Sequence, residues 1–525
     1  MAGCGGCPDA VSLLKRNIIA NLSGRIGIAI LGLVFVPIIV RLMGIEAYGL
    51  VAFFTTVQAI FGLLDLGLSA TINRELARLS AKRDHASEMR DLVRTLEICY
   101  WAIGLAITAA MLALTPTVMR WIRPQSLSPI EIRQAVMTMG VVMGLQWPLS
   151  FYEGGLAGLQ RQVAWNAIAL SMGALRQIGA VLILWLVSPT VQAFLWWQAL
   201  TSGLQTLLTA GAVWRSLPAA ESRARFRAPV LRGVWRFAAG ISGTAIVTLG
   251  LTQMDKMVLS RMLSLEDFGY YSLAAVAGGG LNYLIGPIFS AVFPRFSELV
   301  ASETPQPLRE EYHRVAQFAS VLVLAAAAVL MVFAPEVLQV WTRDAGTVAR
   351  THVLVTVLAA GTALNALIHI PYALQLASGW TSLAMYANTI ALIVLAPATL
   401  LLARQFGAVG AASVWVLLNA GYVFINVPIM HRRLLAGDAW RWYAVDVGLP
   451  LAASALCVGF WRLAVAPPAA TSPLLAYLVV VSGSTLMCAA LATPASRALL
   501  FTTVGRWQFA ASPASRLQTR SSKRT

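Results

Sequence analysis

The spacing of apolar residues constrains this chain most: they gather in about fourteen stretches, each close to the roughly 20 residues that cross a bilayer as a helix. Hydrocarbon offers no partner to a backbone N–H or C=O, so such stretches are stable only as helices that pair those groups internally. A first half takes residues 18–40, 48–72, 95–119, 135–159, 165–187 and 191–214. A second takes 237–259, 268–293, 315–340, 353–376, 383–403 and 409–430; spans at 444–465, which contains Asp446, and 475–491 follow. Composition agrees, with 58% hydrophobic and 12% charged residues, where a soluble chain is about a quarter charged. The expected fold is an all-α polytopic membrane protein.

Positive residues are retained on the cytoplasmic side of short loops. With the N-terminus inside, 27 of the 39 Lys and Arg fall on the cytoplasmic side and 9 outside, while Arg25, Arg176 and Lys256 lie within spans. An even number of spans with both termini cytoplasmic follows. The net charge of +17 is then a topology signal rather than a nucleic-acid footprint, because it is divided among short loops. The basic tail, residues 497–525, suits anionic lipid better. Cys4 and Cys7 form a lone CxxC without the second ligand pair of a structural zinc site, so no metal is expected. Cys99, Cys457 and Cys488 read as small packing residues. No short apolar region with a small-residue cleavage site precedes the first span, so no cleavable signal is expected.

An internal repeat refines the architecture. Arg41-Leu42-Met43-Gly44-Ile45-Glu46-Ala47-Tyr48-Gly49 recurs as Arg261-Met262-Leu263-Ser264-Leu265-Glu266-Asp267-Phe268-Gly269, each copy joining the first span of a half to its second. Six spans separate the copies, so both halves enter the membrane in the same direction. That implies two six-helix lobes related by a pseudo-twofold axis along the membrane normal, plus two C-terminal helices. The layout is a cytoplasmic N-terminus 1–17, an N-lobe 18–214, a basic linker 215–236, a C-lobe 237–430, the last spans in 431–496 and the tail. Two such lobes suggest a transporter with its path between them, opening alternately to each side. Pro37, Pro148, Pro287, Pro294, Pro371 and Pro428, within or at the ends of spans, are bending points or packing kinks. Gly278-Gly279-Gly280 is a hinge or a close helix contact.

Residues 17–77, especially Val36-Pro37, Arg41-Leu42-Met43-Gly44, Tyr48-Gly49 and Leu64-Asp65-Leu66-Gly67-Leu68, resemble the opening of Wzx-type polysaccharide-transport flippases. Gln253-Met254-Asp255-Lys256, Phe268-Gly269-Tyr270-Tyr271-Ser272, Phe293-Pro294-Arg295 and Phe406-Gly407-Ala408-Val409-Gly410-Ala411-Ala412 extend the resemblance over most of the chain. It implies the multidrug/oligosaccharidyl-lipid/polysaccharide exporter fold, a bacterial inner membrane and the company of polysaccharide assembly proteins. The implied substrate is a polyprenyl-diphosphate-linked oligosaccharide, turned from the cytoplasmic to the outer leaflet.

A diphosphate in hydrocarbon needs fixed cations. Arg25 lies roughly 11 Å inside the cytoplasmic end of its helix at about 1.5 Å per residue, Arg176 nearer the midplane and Lys256 toward the outer end, so the three form a ladder for the anion. The structural alternatives are a pair between Arg25 and Asp65, helix carbonyls and Gln177 around Arg176, and snorkelling by Lys256. Asp65, Glu153 and Asp255 are candidates for coupling to protons or sodium, with Asn388 an additional oxygen ligand suggested by the resemblance. Asp255 and Lys256 are adjacent, about 100° apart on a helix, and do not both face one cavity. Glu97, nearer an interface, is expected to be solvated. A multidrug cation exporter of the same fold would have acids dominating its cavity, whereas here bases and acids are balanced. A membrane glycosyltransferase or polymerase would carry a sizeable outer loop, and the outer segments are short. There is no GxxxxGK(S/T) motif for ATP, nor a nucleophile spaced with a base, so neither cofactor nor enzyme activity is expected.

Overall fold

The chain satisfies its backbone along helices, as a segment surrounded by lipid must. A computed structural model describes residues 27, 30–65, 67–81, 85–220, 223–302 and 305–498, with no strand among them. Arg25, the Cys4–Cys7 pair and the tail beyond residue 498 lie outside the described residues. Two units pack separately: one holds Met1–Val276 and Asn388–Val414, the other Ala277–Ala387 and Trp415–Thr525.

The first unit runs through α1 (Ile30–Met43), α2 (Ile45–Phe61), α3 (Leu68–Ser80), α4 (Ala86–Trp121), α5 (Pro129–Gly158), α6 (Gln162–Leu186), α7 (Val191–Ser216), α8 (Ala228–Met262) and most of α9 (Leu265–Gly279). The second predicted span is not one helix. A 3-10 turn at Gly62–Asp65 and left-handed Gly67 (φ 76°) divide α2 from α3, because glycine tolerates the conformation that ends one helix and starts the next. Helix α5 starts at a capping box in which the Ser128 backbone N–H donates to Glu131 Oε2 (2.8 Å) and the Glu131 N–H to Ser128 Oγ (3.3 Å). The bond from the Ser128 backbone, then that from its hydroxyl, hold the Glu131 carboxyl below its ordinary value.

Lipid removes the hydrophobic drive between helices, so close backbone approach takes its place. A methyl on Gly104 would lie 2.6 Å from the Gly144 carbonyl oxygen, and one on Gly144 2.7 Å from that of Gly104. Thr108 Oγ1, donating to Gly140 O at 3.1 Å, ties α4 to α5 beside them. The two copies of the sequence repeat meet in the same way. A methyl on Gly49 would strike the Leu265 carbonyl oxygen, one on Gly269 would strike that of Ile45, and these methyls would lie 3.1 and 3.3 Å from the other glycine's backbone nitrogen. Ile45 and Gly49 occupy in the first copy the places of Leu265 and Gly269 in the second, so the contact is isologous, as a local twofold requires.

The second unit contains α10 (Asn282–Ala301), α11 (Pro305–Val332), α12 (Ala334–Thr342), α13 (Ala345–Ala377), the ends of α14 (Ser382–Gly421), α15 (Val427–Leu434), α16 (Leu449–Ala464) and α17 (Thr471–Ala492). The Gly278–Gly280 run ends α9, so the eighth predicted span is also two helices. Gly278 makes the expected close helix contact, against Leu358, and Gly280 lies in the turn between the two helices. The apolar run Ser382–Leu434 is 53 residues long, about 80 Å of helix against about 30 Å of hydrocarbon. Gly407 (φ 59°, ψ −137°) breaks it between the eleventh and twelfth predicted spans.

Eight described helical runs are long and apolar enough to cross a bilayer, beside two shorter apolar helices. Helices α5, α7 and α8, with 30, 26 and 35 residues, reach the length while carrying more polar side chains. Among the described residues the predicted spans from the second onward are helical apart from breaks in the second, the eighth and, at Phe333, the ninth, and the chain is an all-helical polytopic membrane protein.

A buried polar joint organises one end of the second unit. Asp446, fully buried in the π-helical turn Trp442–Gly448, accepts from His313 Nδ1 and from Gln317 Nε2 (2.9 Å) on α11. Gln317 Oε1 accepts from the Ala495 N–H at 3.0 Å, and Arg309 reaches Asp438 at 3.5 Å. The carboxylate inside the thirteenth predicted span is thus paired, as a buried charge must be.

Candidate functional site

The candidate side chains within spans fall into three neighbourhoods of the first unit. Asp65 closes the break between α2 and α3. Its Oδ1 accepts from Tyr100 OH (2.6 Å) on α4 and Ser150 Oγ (3.3 Å) on α5, and its Oδ2 from Ser69 Oγ (2.8 Å). The break therefore brings a carboxylate to where three helices meet. Glu153 follows Ser150 by one turn of α5, partly buried beside Trp165. Arg25, for which a pair with Asp65 is the structural alternative, lies outside the described residues.

Arg176 projects from α6 toward α7, where its Nη2 donates to Gln205 Oε1 at 2.8 Å. Its backbone carbonyl accepts from Trp197 Nε1 at 3.1 Å, holding this turn against α7. Gln205, not Gln177, is its neighbour, because Gln177 lies about 100° round the helix. The Arg176 Nε is buried without a hydrogen-bond acceptor, and no described carboxylate pairs with the side chain. Its guanidinium therefore keeps hydrogen-bond donors that the described residues leave unused.

The third neighbourhood is α8. Asp255 accepts from Tyr271 OH on α9, and Lys256 Nζ reaches Gln253 Oε1 at 3.4 Å, a long contact that leaves the ammonium weakly held. Asn388 is partly buried on α14.

Uncharged polar residues that the sequence reading passed over form a chain leading to the helix α7 turn that holds Gln205. Gln58 on α2 donates to Gln146 on α5, whose Nε2 donates to Ser202 Oγ on α7 at 2.7 Å, one turn from Gln205. The signal was present as glutamines within spans, each of which needs a partner in hydrocarbon. Glu97 corrects an expectation. It is only 8% exposed and accepts from Tyr152 OH (2.6 Å), Trp214 Nε1 (3.0 Å) and Arg94 Nη1 (2.8 Å). Residues from α5 and α7 close over it, which spacing along α4 does not reveal. Among the described residues no group of three or more His, Cys, Asp or Glu is placed to hold a metal ion.

Solved structures share this fold. The lipid II flippase MurJ in an inward closed conformation superposes with a TM-score of 0.66 at 12% identity, covering 91% of this chain and 98% of that one. An inward-facing multidrug resistance MATE family transporter of the MOP superfamily gives 0.62 at 15% identity, covering 79% and 96%. None of the curated proteins matches the sequence. The family described as polysaccharide biosynthesis protein matches residues 14–300, more than half of the chain. With helices, repeat and polar spans in agreement with that match, this chain belongs to the polysaccharide biosynthesis protein family.

Proposed function

We propose that this protein is a flippase, carrying a polyprenyl-diphosphate-linked oligosaccharide from the cytoplasmic to the outer leaflet of a bacterial inner membrane by alternating access. Both termini are cytoplasmic in this reading, and lobes 18–214 and 237–430, joined by the basic linker 215–236, rock about the substrate. The carrying observation is Arg176: a guanidinium in a span, its Nε without an acceptor and no described carboxylate beside it. An unpaired buried cation costs stability, and a protein keeps one where an anion is its partner. Arg176, with Arg25 and Lys256, receives the diphosphate as it sheds water. Asp65, Glu153, Asp255 and Asn388 are the groups that exchange protons or sodium, so that an ion gradient drives the cycle. The isologous contact at Gly49 and Gly269 supports two like halves that close on each other at the outer side.

The rival of the same fold, an exporter of organic cations, needs carboxylate oxygens free to meet its cargo. Arg176, a cation within a span with no described carboxylate beside it, would instead repel such a cargo. Proteoliposomes separate the two. Net transfer of a fluorescent polyprenyl-diphosphate saccharide between leaflets, without efflux of ethidium, is the expected result. Ethidium efflux without lipid transfer would overturn the proposal.

A further inference from the structure

Helices α10 and α13 of the second unit together present a partly exposed face that mixes aromatic rings with polar groups. Where α6, α14 and α16 are exposed they show Trp185, Leu186, Ile393, Val394, Leu456 and Phe460, side chains that lipid accepts. On α13, Asn365, His369 and Tyr372 fall at i, i+4 and i+7, one face of a helix. Each carries a polar group that no described residue engages. The Asn365 Nδ2 donates to Asn419 Oδ1 at 2.8 Å, leaving its own Oδ1 unused. The His369 Nδ1 lies 2.9 Å from the Asn365 carbonyl oxygen, so the neutral ring carries its proton there and presents Nε2 as an acceptor. The Tyr372 hydroxyl sits on a side chain 36% exposed.

Against this row stand the rings of α10. Phe289 stacks on Phe293 (6.2 Å, 3° between planes) and on Tyr372 (6.2 Å, 20°), while His369 meets Phe289 edge-on (6.0 Å, 90°). Three near-parallel rings beside three unused polar groups suit neither lipid, which leaves the polar groups unpaired, nor the diphosphate, since this face carries no cation. They suit a pyranose. Its C–H face lies on an aromatic ring and its equatorial hydroxyls donate outward to acceptors such as Oδ1 and Nε2. A Tyr hydroxyl, donor and acceptor at once, serves either sense of hydroxyl.

We propose that Phe289, Phe293, Asn365, His369 and Tyr372 form a sugar subsite that holds the saccharide of the lipid-linked substrate, separately from the basic residues that take its diphosphate. The subsite rests on the flippase reading and adds to it a reason for preferring loaded carrier lipid over empty carrier. Binding of undecaprenyl diphosphate and of its N-acetylglucosamine-linked form to the full-length protein in nanodiscs tests it. Wild type is expected to bind the sugar-bearing lipid about tenfold more tightly, the difference one aromatic contact and one hydrogen bond supply. Tyr372→Leu and His369→Ala are each expected to remove most of that preference while leaving affinity for the bare lipid unchanged. Tyr372→Phe, which keeps the ring, should retain more of the preference than Tyr372→Leu. Equal wild-type affinity for the two lipids, variants that weaken both alike, or variants that change neither would overturn the subsite alone. Wild type binding neither lipid would overturn the flippase reading and the subsite with it.

Discussion

A charged side chain inside a span announces itself in a sequence, because hydrocarbon makes it expensive; its partners do not. Arg176, Lys256, Asp65, Glu153 and Asp255 were legible on that ground, whereas Gln205, Tyr100 and Ser150, which decide what Arg176 and Asp65 do, were not. They sit on other helices, at sequence distances that no local pattern encodes, and uncharged polar residues raise little alarm among so many apolar ones. Glu97 illustrates the converse: a carboxylate placed near an interface by position along its helix is enclosed by Tyr152 and Trp214 from α5 and α7. Asp65 accepts from three hydroxyls, so Asp65→Ala orphans the buried Tyr100 OH and frees the turn at Gly62–Asp65. The expected loss of unfolding free energy is about 1–3 kcal/mol. Thermal unfolding in detergent measures it, and a midpoint equal to wild type would remove the structural role given to this carboxylate.

At the scale of elements, the nine-residue repeat was the most informative feature of the sequence, because its two copies make the same turn and then pack on each other. The helix break at Gly62–Gly67 escaped the reading, since a window of spanning length averages across a short turn, whereas the one at Gly280 was marked by its run of glycines. Gly49→Val places a branched side chain where the Leu265 carbonyl and the Gly269 backbone already lie. Overpacking of a close contact costs about 1–3 kcal/mol, so this closed arrangement should fall roughly tenfold or more in population. Crosslinking of an Ile45→Cys/Leu265→Cys pair, one turn before the glycines on the contacting faces of the two repeats, reports it. Undiminished crosslinking in the valine variant would show that the glycines are not required for closure. In the second unit, Asp446→Ala strips His313 and Gln317 of their acceptor. Breaking a buried pair from one side costs about 3–5 kcal/mol. Proteolysis should then cut between α15 and α16 while the wild type resists. Equal resistance would mean the joint contributes no stability there.

For the whole molecule, class and helix count were readable because a bilayer leaves a chain so few choices, and the distribution of Lys and Arg supplied a direction that helix packing alone does not. That direction is open to measurement. A cysteine at Ser188, in the turn between α6 and α7, should react with an impermeant maleimide added to intact cells, and one at Ser80, at the end of α3, only after lysis. The reverse pattern would invert the topology and with it the direction of transport. In the proposed cycle charge and scaffold divide the labour, and Arg176, held in a span without a described carboxylate, is the group proposed to meet the diphosphate. Transfer of labelled lipid-linked saccharide in proteoliposomes, at matched protein content, tests this most directly with Arg176→Ala beside Arg176→Lys. The alanine variant is expected to lose about 90% or more of the flux, the equivalent of one charge-assisted hydrogen bond at roughly 1.5–3 kcal/mol, and the lysine variant to recover part of it. Wild-type flux through Arg176→Ala would contradict it.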